Sequence, residues 1–176
     1  MTPGVRKLAL TAHVTASVGW FGAVTVFLAL AIAGWTSQDA QMVRAAYLAM
    51  DWGAWFVLVP FAVASLITGL VQSLGTAWGL LRHYWVLAKL LLTVVATIVL
   101  LLYTQTLELL ASVAAATDPS IDELTLLRTP TVVLHSGAAL LLLVVATVLA
   151  VYKPRGMTAY GRRKRTRESA RLTSGG

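Results

Sequence analysis

The sequence predicts an all-α protein, an integral membrane bundle of four spanning helices with both termini in the cytoplasm. Three observations predict it. The chain of 176 residues is 58% hydrophobic and only 12% charged, about half the roughly 25% charge content of soluble domains. Its apolar residues gather into four long runs, each near or above the ~20 residues that cross about 30 Å of hydrocarbon as a helix. Most of its Lys and Arg also fall on one side of those runs.

The first run extends from Leu8 to Gly34. Arg6 and Lys7 before it, and Ala31-Ile32-Ala33 near its end, are similar to a secretory signal and its cleavage site. The apolar stretch between them is well beyond the 7–15 residues of a usual signal core, so it reads as a span. The second span runs from Trp52 to about Gln72, the third from Tyr84 to about Leu107, the fourth from Pro130 to Tyr152. Trp35, Trp52, Trp55, Tyr84, Trp85 and Tyr152 mark the ends. Such rings settle at headgroup depth because their bodies are apolar and their N–H or O–H groups seek water. Barrel strands would need alternating polar and apolar positions, whereas Leu140 to Ala150 is apolar on every side apart from Thr147.

One set of ends carries Arg6, Lys7, Arg82, Lys153, Arg155 and a basic tail; the other carries Arg44 and Arg128 among Asp39, Asp51, Asp118, Asp122 and Glu123. The positive-inside rule puts the first set in the cytoplasm of a multi-pass cell-membrane protein. Residues 1–157 form the spanning domain. Between spans, Thr36 to Met50 has room for a brief amphipathic helix at the outer surface, and Asp118-Pro119-Ser120 reads as a turn, since Pro fixes φ and stops a helix. Residues 158–176 compose a mobile, basic tail that anchors the topology and is attracted to anionic headgroups. Nucleic acid is not an expected partner; the lipid bilayer is, together with a membrane-protein partner or a second copy of the chain.

The chain has no cysteine, which excludes disulfides, thiolate metal sites, iron–sulfur ligation and C-x-x-C-H haem attachment. The informative positions are those least suited to lipid. His13 lies on the first span with Ser17 and Trp20 following at helical spacing, beside the small residues Ala12, Ala16, Gly19, Gly22 and Ala23. Lys89 lies about 10 Å into the third span, counted from Arg82 at ~1.5 Å per residue. It either snorkels to the cytoplasm or faces an anion inside the bundle, with Thr93 and Thr97 extending a polar stripe. His13 either hydrogen-bonds across the bundle or ligates haem iron or another metal. His135, near the outer end of the fourth span, differs from His13 in height by roughly 10 Å or more, too far for both to clamp one iron. His83 and His135 are the further candidate cofactor-binding residues; His83 is nearer in depth to His13 but reads equally as an interfacial residue. Pro60 should kink the second span and free a carbonyl. Ser65, Gly69 and Ser73 form a small-residue packing row.

In order, these residues resemble a known pattern. Lys7-Leu8-Ala9-Leu10-Thr11-Ala12-His13 with Trp20-Phe21-Gly22 is similar to the first helix of HemJ-type protoporphyrinogen oxidases, and CopD-like copper-resistance proteins have a comparable helix. Pro60-Phe61 with Leu66-Ile67-Thr68-Gly69-Leu70 resembles the second HemJ helix. Trp85 followed by Lys89-Leu90 resembles its W-x-x-K-L motif with one extra residue. Arg128-Thr129-Pro130-Thr131 through Tyr152-Lys153-Pro154 resembles the last helix. The resemblance implies a bound haem b, His13 as its ligand and metal-binding residue, and Lys89 as a catalytic substrate or proton partner. The family's Asn-Glu before Pro-Thr is replaced here by Arg128-Thr129, and His135 is additional. Three functions therefore stand: a haem-b electron carrier or oxidoreductase, a copper-handling protein, and a non-catalytic bundle that partners another membrane protein. Cu(I) prefers soft sulfur donors, and Met1, Met42, Met50 and Met157 all lie outside the spans.

Overall fold

The computed structural model describes residues 2–75, 80–116, 125–154, 156–163 and 165–166. They are overwhelmingly helical, with no strand among them. Four helical stretches are long and apolar enough to cross a membrane: Pro3–Thr36, Ala40–Gly75, Tyr84–Ala115 and Thr125–Tyr152. The Asp118 turn and residues 167–176 lie outside the described residues.

Helix α1 (Pro3–Thr36) begins with Pro3 in its first turn, where the missing N–H costs nothing. It buries Ala16, Trp20, Val24, Phe27, Ala31 and Gly34, a run of three- and four-residue steps that draws one stripe along the helix. His13 is half-buried and continues that stripe towards the helix start.

Helix α2 (Ala40–Gly53) starts where the Asp39 carboxylate accepts the Gln41 N–H at 2.9 Å. A short helix was expected here on the outer surface. The helix forms, but it is a core element: Val43, Tyr47 and Met50 are buried against Phe27, Ala31 and Leu127. Nor is it separated from the next span. A π-helical turn (Ala54–Leu58) joins it to α3 (Val59–Gly75), with the Val59 N–H reaching back five residues to the Ala54 carbonyl. Pro60 cannot donate to Phe56 and its ring crowds the preceding turn. The wide turn placed just before it is the form the expected irregularity takes.

Helices α1 and α3 run antiparallel along a seam of small residues. A Cβ on Gly19 would meet the Phe61 ring at 2.6–2.8 Å. Ser17 and Ser65 share a hydroxyl–hydroxyl hydrogen bond of 2.9 Å, and a Cβ on Gly69 would lie 3.0 Å from the His13 ring. The predicted row is therefore the seam at Ser65 and Gly69, where small residues let two helices approach. Ser73 instead donates to its own helix at the Gly69 carbonyl, 2.8 Å away. Gly22, expected on a close-approach surface, has nothing within 4 Å of its would-be Cβ.

Helix α4 (Tyr84–Ala115) continues two turns past the expected end at Leu107. Arg44, from α2, explains its stop: Nε donates to the Ala114 carbonyl at 2.6 Å and Nη2 to the Ala116 carbonyl at 2.7 Å. A cation on the last carbonyls also complements the negative end of the helix dipole. Helix α5 (Thr131–Tyr152) buries only Val132 and Leu143. The best-packed region lies at the end of the bundle that holds α2, where the Tyr47 hydroxyl donates to the Leu127 carbonyl and pins the turn preceding α5.

At the opposite, basic end the chain folds back. Composition predicts a mobile tail from Thr158, yet Thr158 is 7% exposed. Its N–H donates to the Arg82 carbonyl at 3.0 Å and its hydroxyl to the Leu81 carbonyl. A short helix over 159–163 follows. The first residues of the tail are thus packed, which long-range backbone pairing achieves and composition does not reveal.

Candidate functional site

Towards the basic end, α1 and α3 bring together polar side chains that an apolar bundle has little use for. His13 Nδ1 lies 3.1 Å from Thr68 Oγ1. The Thr68 hydroxyl has one proton, and the Ala64 carbonyl at 2.6 Å takes it. Thr68 Oγ1 therefore accepts from His13, which fixes the proton on Nδ1 and leaves Nε2 with its lone pair. Among the described residues, Nδ1 is the ring nitrogen with a hydrogen-bonded side chain. A histidine with one nitrogen held by a neighbour and the other bare is the form that ligates metals or accepts protons.

One turn beyond Thr68 on α3, Gln72 Nε2 is buried without a hydrogen-bond partner among the described residues. A buried amide donor left unsatisfied costs roughly 1–3 kcal/mol, so an acceptor at this spot would be stabilising. Lys89 on α4 is half-buried, its Nζ 5.8 Å from the centre of the Trp85 ring one turn nearer the basic end. It lies within electrostatic range of both His13 and Lys153. The described carboxylates, Asp39, Asp51 and Glu108, belong to the other end of the bundle. The local field is cationic, and the chemistry it suits is that of an anion. Thr93 and Thr97 do form the expected stripe, with Thr97 buried, but their hydroxyls donate to the Lys89 and Thr93 carbonyls at 2.8 Å each.

His135 is not part of this cluster. It is exposed, its Nδ1 donates to the Thr131 carbonyl at 2.8 Å, and its ring stacks on Tyr103 at 4.1 Å and 19°. Tyr103 is fourteen residues along α4 from Lys89, about 21 Å at 1.5 Å per residue. His83 caps the start of α4 in an extended conformation, pairs with Met157 and lies 6.4 Å from the Trp85 ring. Among the described residues no three His, Cys, Asp or Glu side chains converge as a metal-ligand group. A surface depression lined by Gln105, Glu108, Leu109 and Ser112 lies on the far part of α4 and includes none of the sequence-predicted residues.

Sequence reasoning missed two members of these clusters. Gln72 was legible only as the end of a span; as an amide four residues after Thr68 and seven after Ser65 it shares their helix face. The Tyr103 hydroxyl, buried without a hydrogen-bond partner among the described residues, carries no comparable signal. No protein-family model, curated protein or solved structure matches this chain.

Proposed function

We propose that this chain is a multi-pass cell-membrane protein, its termini cytoplasmic, that binds haem b through His13 and serves in electron transfer or as an oxidoreductase. The observation that carries the reading is the Thr68 hydrogen bond to His13 Nδ1, which orients the ring and leaves Nε2 available. The donor set fits an acidic porphyrin. One imidazole, that of His13, would be enough to hold a haem iron, whereas a non-haem centre needs several convergent ligands that are not found among the described residues. Lys89 and the orphaned Gln72 amide are suited to carboxylates, and propionates are the carboxylates a haem carries. When bound, the haem supplies a one-electron iron couple. The protein's own contribution is to hold the ring of His13, to balance the negative charge with Lys89, and to keep water out with the apolar faces of α1, α3 and α4. In a reaction on a tetrapyrrole substrate, the Lys89 ammonium is the group placed to move a proton. His135, stacked on Tyr103 towards the other end of α4, lies outside that site.

Chain purified after expression with ample haem should show a Soret band that survives washing. Colourless, metal-free protein from the same preparation would overturn the proposal. A second reading has its own support: His13–Thr68 and Ser17–Ser65 are satisfied bonds across a close helix seam, as a purely structural bundle would use them. α5 buries only two residues, leaving most of its surface to lipid, a partner or a second copy. Copper handling draws no comparable support, because the donors near His13 are hard or cationic.

Membrane insertion has its own test. Reporter domains fused at Gly75 and at Ser120 should report opposite compartments, Gly75 inside and Ser120 outside. Both on one side would break the four-span topology.

A further inference from the structure

We propose that residues 156–163, with Arg165 and Thr166, form a clamped cationic arm that binds anionic phospholipid headgroups at the basic end of the bundle. The inference rests on the membrane reading above but not on haem.

The clamp is built from backbone. Lys153 ends α5 with φ 42°, a left-handed residue that turns the chain, and Pro154 prevents the helix from resuming. The returning chain lies against the segment before α4: Tyr84 donates to the Gly156 carbonyl at 3.4 Å, Met157 pairs antiparallel with His83, and Thr158 donates to the Arg82 carbonyl. The Thr158 hydroxyl then accepts the Gly161 N–H at 3.1 Å, the arrangement that caps a helix start. Gly161 is buried, and a Cβ there would lie 2.5 Å from the Arg82 carbonyl oxygen and 3.1 Å from its Cα. Those neighbours are backbone and cannot yield, so only glycine lets the arm sit this close.

What the clamp displays is positive. Arg162, Arg163 and Arg165 are exposed, and Arg162 is steadied by donating to the Met157 carbonyl at 3.0 Å. No described carboxylate lies at this end. Tyr84, Tyr152 and Tyr160 are 58%, 79% and 55% exposed around it, and tyrosines belong at headgroup depth. A loose basic tail would also be drawn to an anionic surface. A clamped one has already lost its conformational freedom, so less is lost on binding, and its charges are held at the level of the helix ends.

The full-length chain is reconstituted into nanodiscs of phosphatidylcholine mixed with phosphatidylglycerol, and the phospholipid it retains on extraction is measured. Wild type should retain phosphatidylglycerol over phosphatidylcholine by about tenfold or more, since each basic residue near such a surface contributes about fivefold. The triple variant R162Q/R163Q/R165Q should lose that preference. Gly161→Leu, which keeps every charge and breaks the clamp, should lose most of it. An unchanged preference in the triple variant overturns the arm, and so does an unchanged preference in Gly161→Leu. Tighter binding of a short oligonucleotide than of phosphatidylglycerol vesicles would also overturn it. A chain that does not enter the discs refutes the membrane reading; one that enters without lipid preference refutes the arm alone.

Discussion

Tyr47→Ala should be among the most destabilising single substitutions in the chain, costing about 3–5 kcal/mol by analogy with other buried aromatics. Tyr47 is fully buried, and it acts in two ways. Its ring fills the space that Gly34 leaves: a Cβ on Gly34 would be only 3.2 Å from Tyr47 Cε2. Its hydroxyl donates to the Leu127 carbonyl and so ties α2 to the turn before α5. Tyr47→Phe separates the two contributions. It keeps the ring and leaves one buried carbonyl without its donor, for about 1–3 kcal/mol. Unfolding of the detergent-solubilised chain in a graded SDS titration should rank wild type, Phe and Ala in that order. Tyr47→Ala unfolding with wild type would mean that the packed end of the bundle is not what holds the helices together.

The spans were legible because hydrocarbon thickness imposes a length on apolar runs, and nothing else in the sequence competes with that signal. Their ends were not. The second span was read as starting at Trp52, because the polar residues before it look like a loop. The helix in fact runs in from Ala40, since Val43, Tyr47 and Met50 on one face find a core and a π-turn carries the chain past Pro60. The third apolar run reads as ending at about Leu107. The helix runs on to Ala115, where Arg44, seventy residues away in sequence, donates to its terminal carbonyls. In the candidate site, depth counting puts His13 and Lys89 at one level and His135 at another, and the stacking of His135 on Tyr103, far along α4 from Lys89, fits the second part. The identity of His13's partner was hidden, because Thr68 was visible only as one letter of an apolar run. The clamp on the tail was hidden for the same reason: Gly161 is a linker residue by composition and a contact residue only once Arg82 is beside it.

The hydrogen bond between Thr68 and His13 also yields the sharpest test of the functional reading. His13→Ala should abolish the Soret band, because it removes the one protein ligand. Thr68→Val should not abolish it. Valine matches threonine in shape but cannot accept from Nδ1–H, so the ring loses its orientation and its enhanced basicity. Losses of such supporting partners typically weaken metal affinity about 10–100-fold, and haem retention during dilution into apomyoglobin measures it. Thr68→Ser restores the acceptor and should recover most of the affinity, which separates the hydrogen bond from general packing. Equal retention in wild type and Thr68→Val would remove Thr68 from the site. In a purely structural bundle the same substitutions read differently. All three proteins would be colourless, and Thr68→Val would register only as the loss of one hydrogen bond across the α1–α3 seam, about 0.5–1.5 kcal/mol in unfolding. The two readings share every contact of the fold and part only over what His13 Nε2 binds, so spectrum and stability measured on the same variants decide between them.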